Sequence, residues 1–243
     1  MDQARRRFNQ YLSRRYGQST TPKCYGSDLE IFIRSVGDKA PAEITPTGID
    51  AFIDEQLAAG LSPVTINRRL ATLHTFFEFL ASEAPEPDWP NPVIWRRHKL
   101  KRGTRLPRDA PDDEVAKLFS VIPSARDRAM FGLMLGAGLR VAEVAALLLD
   151  RLEAPARSDG LMKLRVYGKR QKERMVWITP SLWQAIQAWL QERPAVESDF
   201  LFLNLRGSPI SVAGIQYLLR KHCKQAGVSF TCHQLRHTFA RRM

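Results

Sequence analysis

Residues Met134–Leu147 read MLGAGLRVAEVAAL, and the rest of the chain is organised around this stretch. A hydrophobic run ends in two glycines, after which Arg140 opens a segment whose apolar residues recur at helical spacing. Glu143 lies three residues further on and therefore on the same side of that predicted helix. An arginine held by an acid at a helix start can be aimed at an anion. A solvated surface ion pair is the alternative, and this stretch alone does not decide between the two.

The composition indicates a soluble, basic protein. Its 243 residues carry 37 Lys+Arg against 25 Asp+Glu, which gives a formal net charge of +12. A basic protein of this size most often binds a polyanion, and nucleic acid is the commonest one. No apolar run approaches the roughly 20 residues that a membrane span needs, and no secretory signal is present. Three widely spaced cysteines favour a reducing compartment, so we expect a cytoplasmic protein.

Residues 1–83 are predicted to form a compact domain of four helices. The last of them, Val64–Ser82, has an apolar face for the core and a polar face opposite it. Arginine reads guanine edges and threonine reaches phosphates, so this polar face suits a DNA groove, although an ordinary solvated face is the alternative. The candidate DNA contacts on it are Thr65, Arg68 and Arg69.

Residues 84–107 are predicted to be a linker, because prolines crowd this part of the chain and forbid a regular element. The segment is rich in positive residues and has no acid after Trp89. An extended basic linker suits a protein that closes around a duplex and follows its phosphates, whereas a disordered, solvated linker is the alternative. The candidate contacts are Arg96, Arg97, Lys99, Lys101 and Arg102.

Residues 108–243 are predicted to form a second, mainly helical domain with a small three-stranded antiparallel sheet, so that the fold class is mainly α (α+β). The strands are expected at residues 161–167, Met175–Ile178 and Phe200–Leu203. Between the first two lies GKRQKER (168–174), a hairpin dense with cations. Helices are expected at residues 112–121, 125–135, 140–149, 181–191 and 211–226.

The last predicted helix begins at Thr231 or Cys232 and carries the sequence CHQLRHTFARR. His233 and Arg236 are three residues apart and share a face, and His237 lies one turn beyond His233. Taken alone, a histidine near an arginine on a helix is more often structural.

Together and in this order, the GLRxxE, GKxxKxR and HxLRHxFA patterns resemble the tyrosine recombinases, which include the phage, Xer and integron integrases. The resemblance covers nearly the whole chain, since residues 1–83 are similar to the family's core-binding, SAM-like domain. It implies a site-specific recombinase that acts on double-stranded DNA by transesterification through a 3′-phosphotyrosine, with no metal and no cofactor. It also implies homo-oligomers on DNA, up to a tetramer, and a bacterial, phage or mobile-element origin.

The resemblance also assigns roles to individual residues. Arg140 and Arg236 match the two arginines that bind the scissile phosphate and stabilise its transition state. Lys169 matches the hairpin lysine that protonates the leaving 5′-oxygen, and Lys172, also a candidate DNA contact, replaces it if the hairpin has another register. His233 matches the histidine that handles protons and contacts phosphate.

Two further positions, Glu143 and His237, match residues that hold these groups in place. The sequence departs from the family at the nucleophile, because the family's tyrosine follows the last arginine motif and this sequence has no tyrosine after Arg236. Without that oxygen no phosphotyrosine bond can form. We therefore expect a C-terminally truncated recombinase that binds DNA without cleaving it and whose oligomers are weakened.

Three alternatives stay open. A non-catalytic DNA-binding protein of the same fold would occupy recombination sites. A partner subunit would supply the tyrosine in trans. A type IB topoisomerase shares the chemistry, although the compact N-terminal domain resembles integrases more.

Overall fold

The computed structural model describes residues 1–17, 20–37, 39–83, 90–101, 103, 110–153, 162–167 and 173–242. The chain divides into two compact units, Met1–Thr104 and Arg105–Met243, and each has its own hydrophobic core. No helix in these described ranges combines the length and the apolar character that a membrane crossing requires.

The first unit is helical, as the sequence predicts. Its core is built largely from buried phenylalanines in edge-to-face or tilted contacts, such as Phe8 with Phe76 and Phe32 with Phe52. Thr45 caps the third helix by accepting a hydrogen bond from the backbone N–H of Gly48 at 3.2 Å. The four longer helices in its described residues are α1 (Asp2–Tyr16), α2 (Thr21–Val36), α3 (Pro46–Ala58) and α4 (Pro63–Glu83).

Residues 90–101 differ from the linker that the prolines predict. Trp95–His98 form a short helix, α5, because the neighbouring prolines come before it and leave these four residues free to turn. The segment belongs to the first unit and packs on its helices. Asn67 of α4 exchanges two hydrogen bonds of 2.9 Å with the backbone of Leu100, and the imidazole of His98 is buried.

The second unit is built around α7 (Ala125–Gly136), whose apolar side chains are almost fully buried and which packs against two later helices, α9 and α11. The helix that follows it is shorter than predicted, since it ends at Ala145 rather than near Leu149. The other helices within the described part of this unit are α6 (Asp112–Ser120), α8 (Val141–Ala145), α9 (Pro180–Glu192), α10 (Val212–Ala226) and α11 (Cys232–Arg242).

The sheet has three antiparallel strands in the order β1 (Leu152–Glu153), β2 (Met162–Tyr167) and β3 (Glu173–Ile178). The mainly helical α+β class is therefore confirmed, but one predicted strand is wrong. Phe200–Leu203 lies outside the sheet and forms only isolated bridges at its two ends. This segment is apolar because it crosses the core, and an apolar run of four residues does not distinguish a strand from another buried segment.

Candidate active site

The turn between α7 and α8 places Arg140. Gly138 has a φ of +63°, a left-handed conformation that glycine adopts without strain. A Cβ atom at this position would overlap the ring of Phe239 on α11, so the close approach of the two segments also requires glycine. Arg140 follows in an extended conformation as the N-cap of α8, and its side chain is 54% exposed.

Glu143 of α8 connects this turn to the sheet. Its carboxylate accepts hydrogen bonds from the backbone N–H of Arg140 at 2.7 Å and from Nη1 of Arg140 at 2.9 Å. Arg174 of β3 donates Nη1 to one carboxylate oxygen and Nη2 to the other, at 2.7 and 2.8 Å. Burial of the carboxylate would by itself raise its pKa, but the hydrogen bonds from Arg174 and Arg140 lower the pKa to about 2. Glu143 is therefore ionised at neutral pH.

Arg236 of α11 reaches the same place from the other side. Its Nη1 atom donates to the carbonyl oxygen of Gly138 and lies 3.9 Å from Oε2 of Glu143. Burial and the positive charge of Arg140 lower the pKa of Arg236. Three guanidinium groups thus surround one carboxylate, and this excess of positive charge favours an anionic ligand.

His233 and His237 form a pair on α11. Their Nε2 atoms are 2.8 Å apart, and the two rings are close to perpendicular. One of these nitrogens must donate and the other accept, so the hydrogen bond exists only when at least one imidazole is neutral. Burial, followed by the charges of His237, Arg236 and Arg140, lowers the pKa of His233.

We expect this pKa to rise when an anion binds. A phosphate group between Arg140 and Arg236 offsets the positive charges that now disfavour protonation of His233. An NMR titration of the imidazole signals, with and without inorganic phosphate, measures the effect. The signals of buried residues in the core of the first unit are the internal control for general effects of phosphate. A pKa of His233 that does not respond to phosphate contradicts this prediction.

The site opens into a cleft of about 500 Å³ in the second unit. Arg140, His233 and Arg236 line one part of it, and α10 supplies Leu219 and Arg220 to the wall. Several cations among the lining residues of an otherwise largely apolar cleft suit a phosphate group better than a neutral ligand. In the described part of the chain, no group of three or more His, Cys, Asp or Glu residues is placed to hold a metal ion.

The structure brings together three of the four predicted catalytic residues, Arg140, His233 and Arg236, and the two predicted supports, Glu143 and His237. Lys169 and Lys172 lie outside the described residues, as does Arg102 of the linker. The other linker candidates lie in the segment packed on the first unit, where Nε of Arg97 bonds to Asp50 at 2.9 Å. The remaining candidates there are exposed: Arg96, Lys99 and Lys101.

The predicted DNA-binding face of α4 is partly occupied by contacts within the protein. Asp28 of α2 is 2% exposed, accepts a hydrogen bond from Arg68, and lies 3.9 Å from Nε of Arg69. The side chain of Arg69 is only 13% exposed, whereas that of Arg68 is 51% exposed. The hydroxyl of Thr65 bonds to that of Ser62 at 3.1 Å. Of the three, Arg68 is the best placed to meet a ligand.

Two features of the site are missed by the sequence analysis, namely the partner role of Arg174 and the carbonyl of Gly138. A signal for Arg174 exists, since counting in steps of two from the buried Ile178 places Arg174 on the inner face of β3. The core also holds a polar cluster without a sequence signal. Asp127 of α7 bonds to Arg126 and to Nε2 of His222, each at 2.9 Å.

Clustered arginines and a histidine at a cleft of the second, mainly helical unit define a protein of the anion-binding class. The chain matches the phage integrase family over residues 110–243 and the N-terminal SAM-like domain of phage integrases over residues 6–84. The chain therefore belongs to the phage integrase family, and the resemblance to the tyrosine recombinases is confirmed.

Its relatives include bacterial recombinases. The chain is 32% identical to the tyrosine recombinase XerC of Thermodesulfovibrio yellowstonii, and the match covers 96% of this chain and 80% of that protein. It is also 32% identical to XerC of Chromobacterium violaceum, with 100% of this chain and 81% of that protein covered.

Solved structures share the fold. A lambda integrase (75-356) dimer bound to a COC′ core site has a TM-score of 0.77 at 18% identity, and the match covers 99% of this chain and 88% of the lambda integrase chain. The Tn1549 transposon integrase in complex with circular intermediate DNA has a TM-score of 0.74 at 17% identity, and the match covers 98% of this chain and 86% of the transposon integrase chain.

Proposed function

We propose that this chain is the DNA- and phosphate-binding part of a site-specific recombinase. The observation that carries the proposal is the shared contact with Glu143, which holds Arg140 and brings Arg236 to the same cleft. Arginine forks bind the non-bridging oxygens of a phosphodiester and stabilise the charge of a pentacoordinate transition state. In this proposal residues 1–83 are the core-binding domain, residues 84–107 the linker and residues 108–243 the catalytic domain.

The proposed reaction is a pair of transesterifications on double-stranded DNA that needs no metal. A tyrosine oxygen attacks the scissile phosphorus, a 3′-phosphotyrosine forms, and the 5′-oxygen leaves with a proton from Lys169, or from Lys172 in the alternative register. The 5′-hydroxyl of another strand then attacks the phosphotyrosine and releases the tyrosine. His233 assists proton transfer at the phosphate, and Glu143 and His237 hold the binding groups in place.

The nucleophile is the part of this reaction that the chain does not supply. The structure describes all five tyrosines, and none of them lines the cleft. We therefore propose that this chain binds a scissile phosphate and leaves it intact. We place its action in the cytoplasm, on recombination sites, in homo-oligomers that form on DNA.

DNA binding is expected to depend steeply on salt. If about six phosphates are contacted, the affinity for a labelled duplex falls by about 10³-fold between 50 and 200 mM salt. Fluorescence anisotropy measures this slope, and the expected contributors include Arg68, Arg96, Lys99 and Lys101. A flat salt dependence contradicts the proposal.

Cleavage is tested on a nicked duplex that traps covalent intermediates. We expect no covalent protein–DNA adduct from this chain alone, because no tyrosine reaches the cleft. An adduct would show that one of the five tyrosines moves into the site and would overturn this part of the proposal.

A non-catalytic DNA-binding protein is the second candidate, and the same lack of a tyrosine at the cleft favours it. Mixing this chain with a family recombinase that keeps its tyrosine but lacks its first phosphate-binding arginine separates the two. Restored cleavage shows that the catalytic groups of this chain work with a tyrosine given in trans. Unrestored cleavage together with tight DNA binding supports the non-catalytic candidate.

A further inference from the structure

Arg174 stands out on the sheet because its side chain is on the inner side. Along β3 the outward residues Met175 and Trp177 are 43% and 42% exposed, whereas Ile178 is 1% exposed. Arg174 pairs with Val166 of β2 and belongs to the inner set. The side chain of Arg174 is 35% exposed, so its charge is partly removed from water and pairing stabilises it.

Glu143 provides that pairing in its strongest form. Nη1 of Arg174 donates to Oε1 of Glu143 and Nη2 donates to Oε2, the two-point geometry of an arginine fork. The carboxylate is 5% exposed, so water replaces little of this contact. The hydrogen bonds and the charge of Glu143 raise the pKa of Arg174.

The pairing of Arg174 with Glu143 affects how the other two arginines, Arg140 and Arg236, contact the carboxylate. Among the described contacts, the guanidinium of Arg140 bonds to Glu143 through Nη1 alone, and that of Arg236 stays 3.9 Å from the carboxylate. If Arg174 were absent, the buried carboxylate would lose its two side-chain donors from β3. It would then draw Arg140 and Arg236 into closer ion pairs, and those pairs compete with a phosphate for the same N–H groups.

We propose that Arg174 is a positioning residue of the phosphate site: it satisfies Glu143 and so leaves donors of Arg140 and Arg236 for the ligand. Arg174 itself makes no contact with the phosphate. The inference rests on the proposed function, since it takes the natural ligand to be a phosphate of DNA.

The test separates positioning from direct contact by combining two substitutions. Arg174→Met is expected to weaken the binding of inorganic phosphate by about tenfold, as losing the support of a ligand often does. The double variant Glu143→Gln, Arg174→Met is expected to bind phosphate within about threefold of Glu143→Gln alone. The reason is that the loss of affinity in Arg174→Met comes from the unpaired carboxylate, which the double variant no longer has. The affinity is read from the Nε–H signals of the arginines in an NMR titration with inorganic phosphate.

Arg165→Met is the matched control. It removes the same charge from β2, where Arg165 pairs with Glu173 at 3.0 Å and is 42% exposed, and we expect phosphate binding to stay within about twofold of the wild type. Arg174→Lys keeps the charge without the fork, so an intermediate affinity is expected. If Arg174→Met unfolds, Arg174→Lys with and without Glu143→Gln gives the same comparison.

Two outcomes overturn the inference. Wild-type phosphate affinity in Arg174→Met shows that Arg174 is dispensable. A double variant about tenfold weaker than Glu143→Gln alone shows direct contact of Arg174 with the phosphate. Failure of the wild-type chain to bind duplex DNA would instead overturn the proposed function, while the comparison with inorganic phosphate would still stand.

Discussion

Replacing Glu143 with alanine is expected to lower the free energy of unfolding of the second unit by about 3–5 kcal/mol. The substitution removes the carboxylate that pairs Arg140 and Arg174 and leaves their charges, with that of Arg236, facing one another. Hydrogen exchange of the core amides of α7 reports on this unit alone. The exposed neighbour Glu173, 45% exposed in its pair with Arg165, is the matched control.

Glu173→Ala is expected to change the free energy of unfolding by less than about 1 kcal/mol, as is usual for an exposed ion pair. Equal losses for Glu143→Ala and Glu173→Ala would contradict the central role of the buried carboxylate.

The same carboxylate makes the stability of the second unit depend on pH. Its pKa of about 2 lies below the ordinary 4.5, so the folded state binds the proton less tightly than the unfolded state. The resulting stabilisation is present above about pH 4.5 and is lost as the pH falls toward 2; a shift of this size corresponds to about 3 kcal/mol. Glu143→Gln is expected to remove this part of the acid sensitivity.

The candidate phosphate-binding residues are predictable because each stands in a short local pattern. Arg140 follows glycines at a helix start, and His233 and Arg236 share one helix face. Their partners are not predictable in this way. Arg174 reaches Glu143 across 31 residues, and Arg236 reaches the carbonyl of Gly138 across 98. Only the packing of α11 and the sheet against the α7–α8 turn brings these groups together.

In the fold, too, local features are predictable from the sequence and long-range contacts are not. Helical periodicity and capping residues predict the longer helices of both units, since these signals act within a few residues. The pairing of Arg68 with Asp28 depends instead on how α2 packs on α4, across 40 residues. Strand β1 has two residues, too few for the alternation that reveals a strand, whereas Phe200–Leu203 has the composition of a strand without its pairing.

Gly138→Ala is expected to destabilise the second unit by about 3 kcal/mol, because two costs add. A left-handed φ of +63° costs an alanine roughly 1–2 kcal/mol, and overlap of its Cβ with Phe239 adds about 1–3 kcal/mol. The carbonyl of Gly138 also holds Arg236, so any shift of this turn weakens phosphate binding as well. Hydrogen exchange and a phosphate titration measure the two effects.

Gly227→Ala is the matched control, since Gly227 lies in the same unit, has a φ of +66°, and leaves open space of at least 4 Å around the point where a Cβ would stand. Gly227→Ala introduces the backbone strain without the overlap, so we expect the free energy of unfolding to fall by about 1 kcal/mol and phosphate binding to stay unchanged. Phe239→Ala in the Gly138→Ala background relieves the overlap and is expected to cost less than Phe239→Ala in the wild type. Equal losses of unfolding free energy for the two glycine variants would mean that backbone strain alone accounts for the requirement for glycine at position 138. The contact with α11 would then not set the position of Arg236.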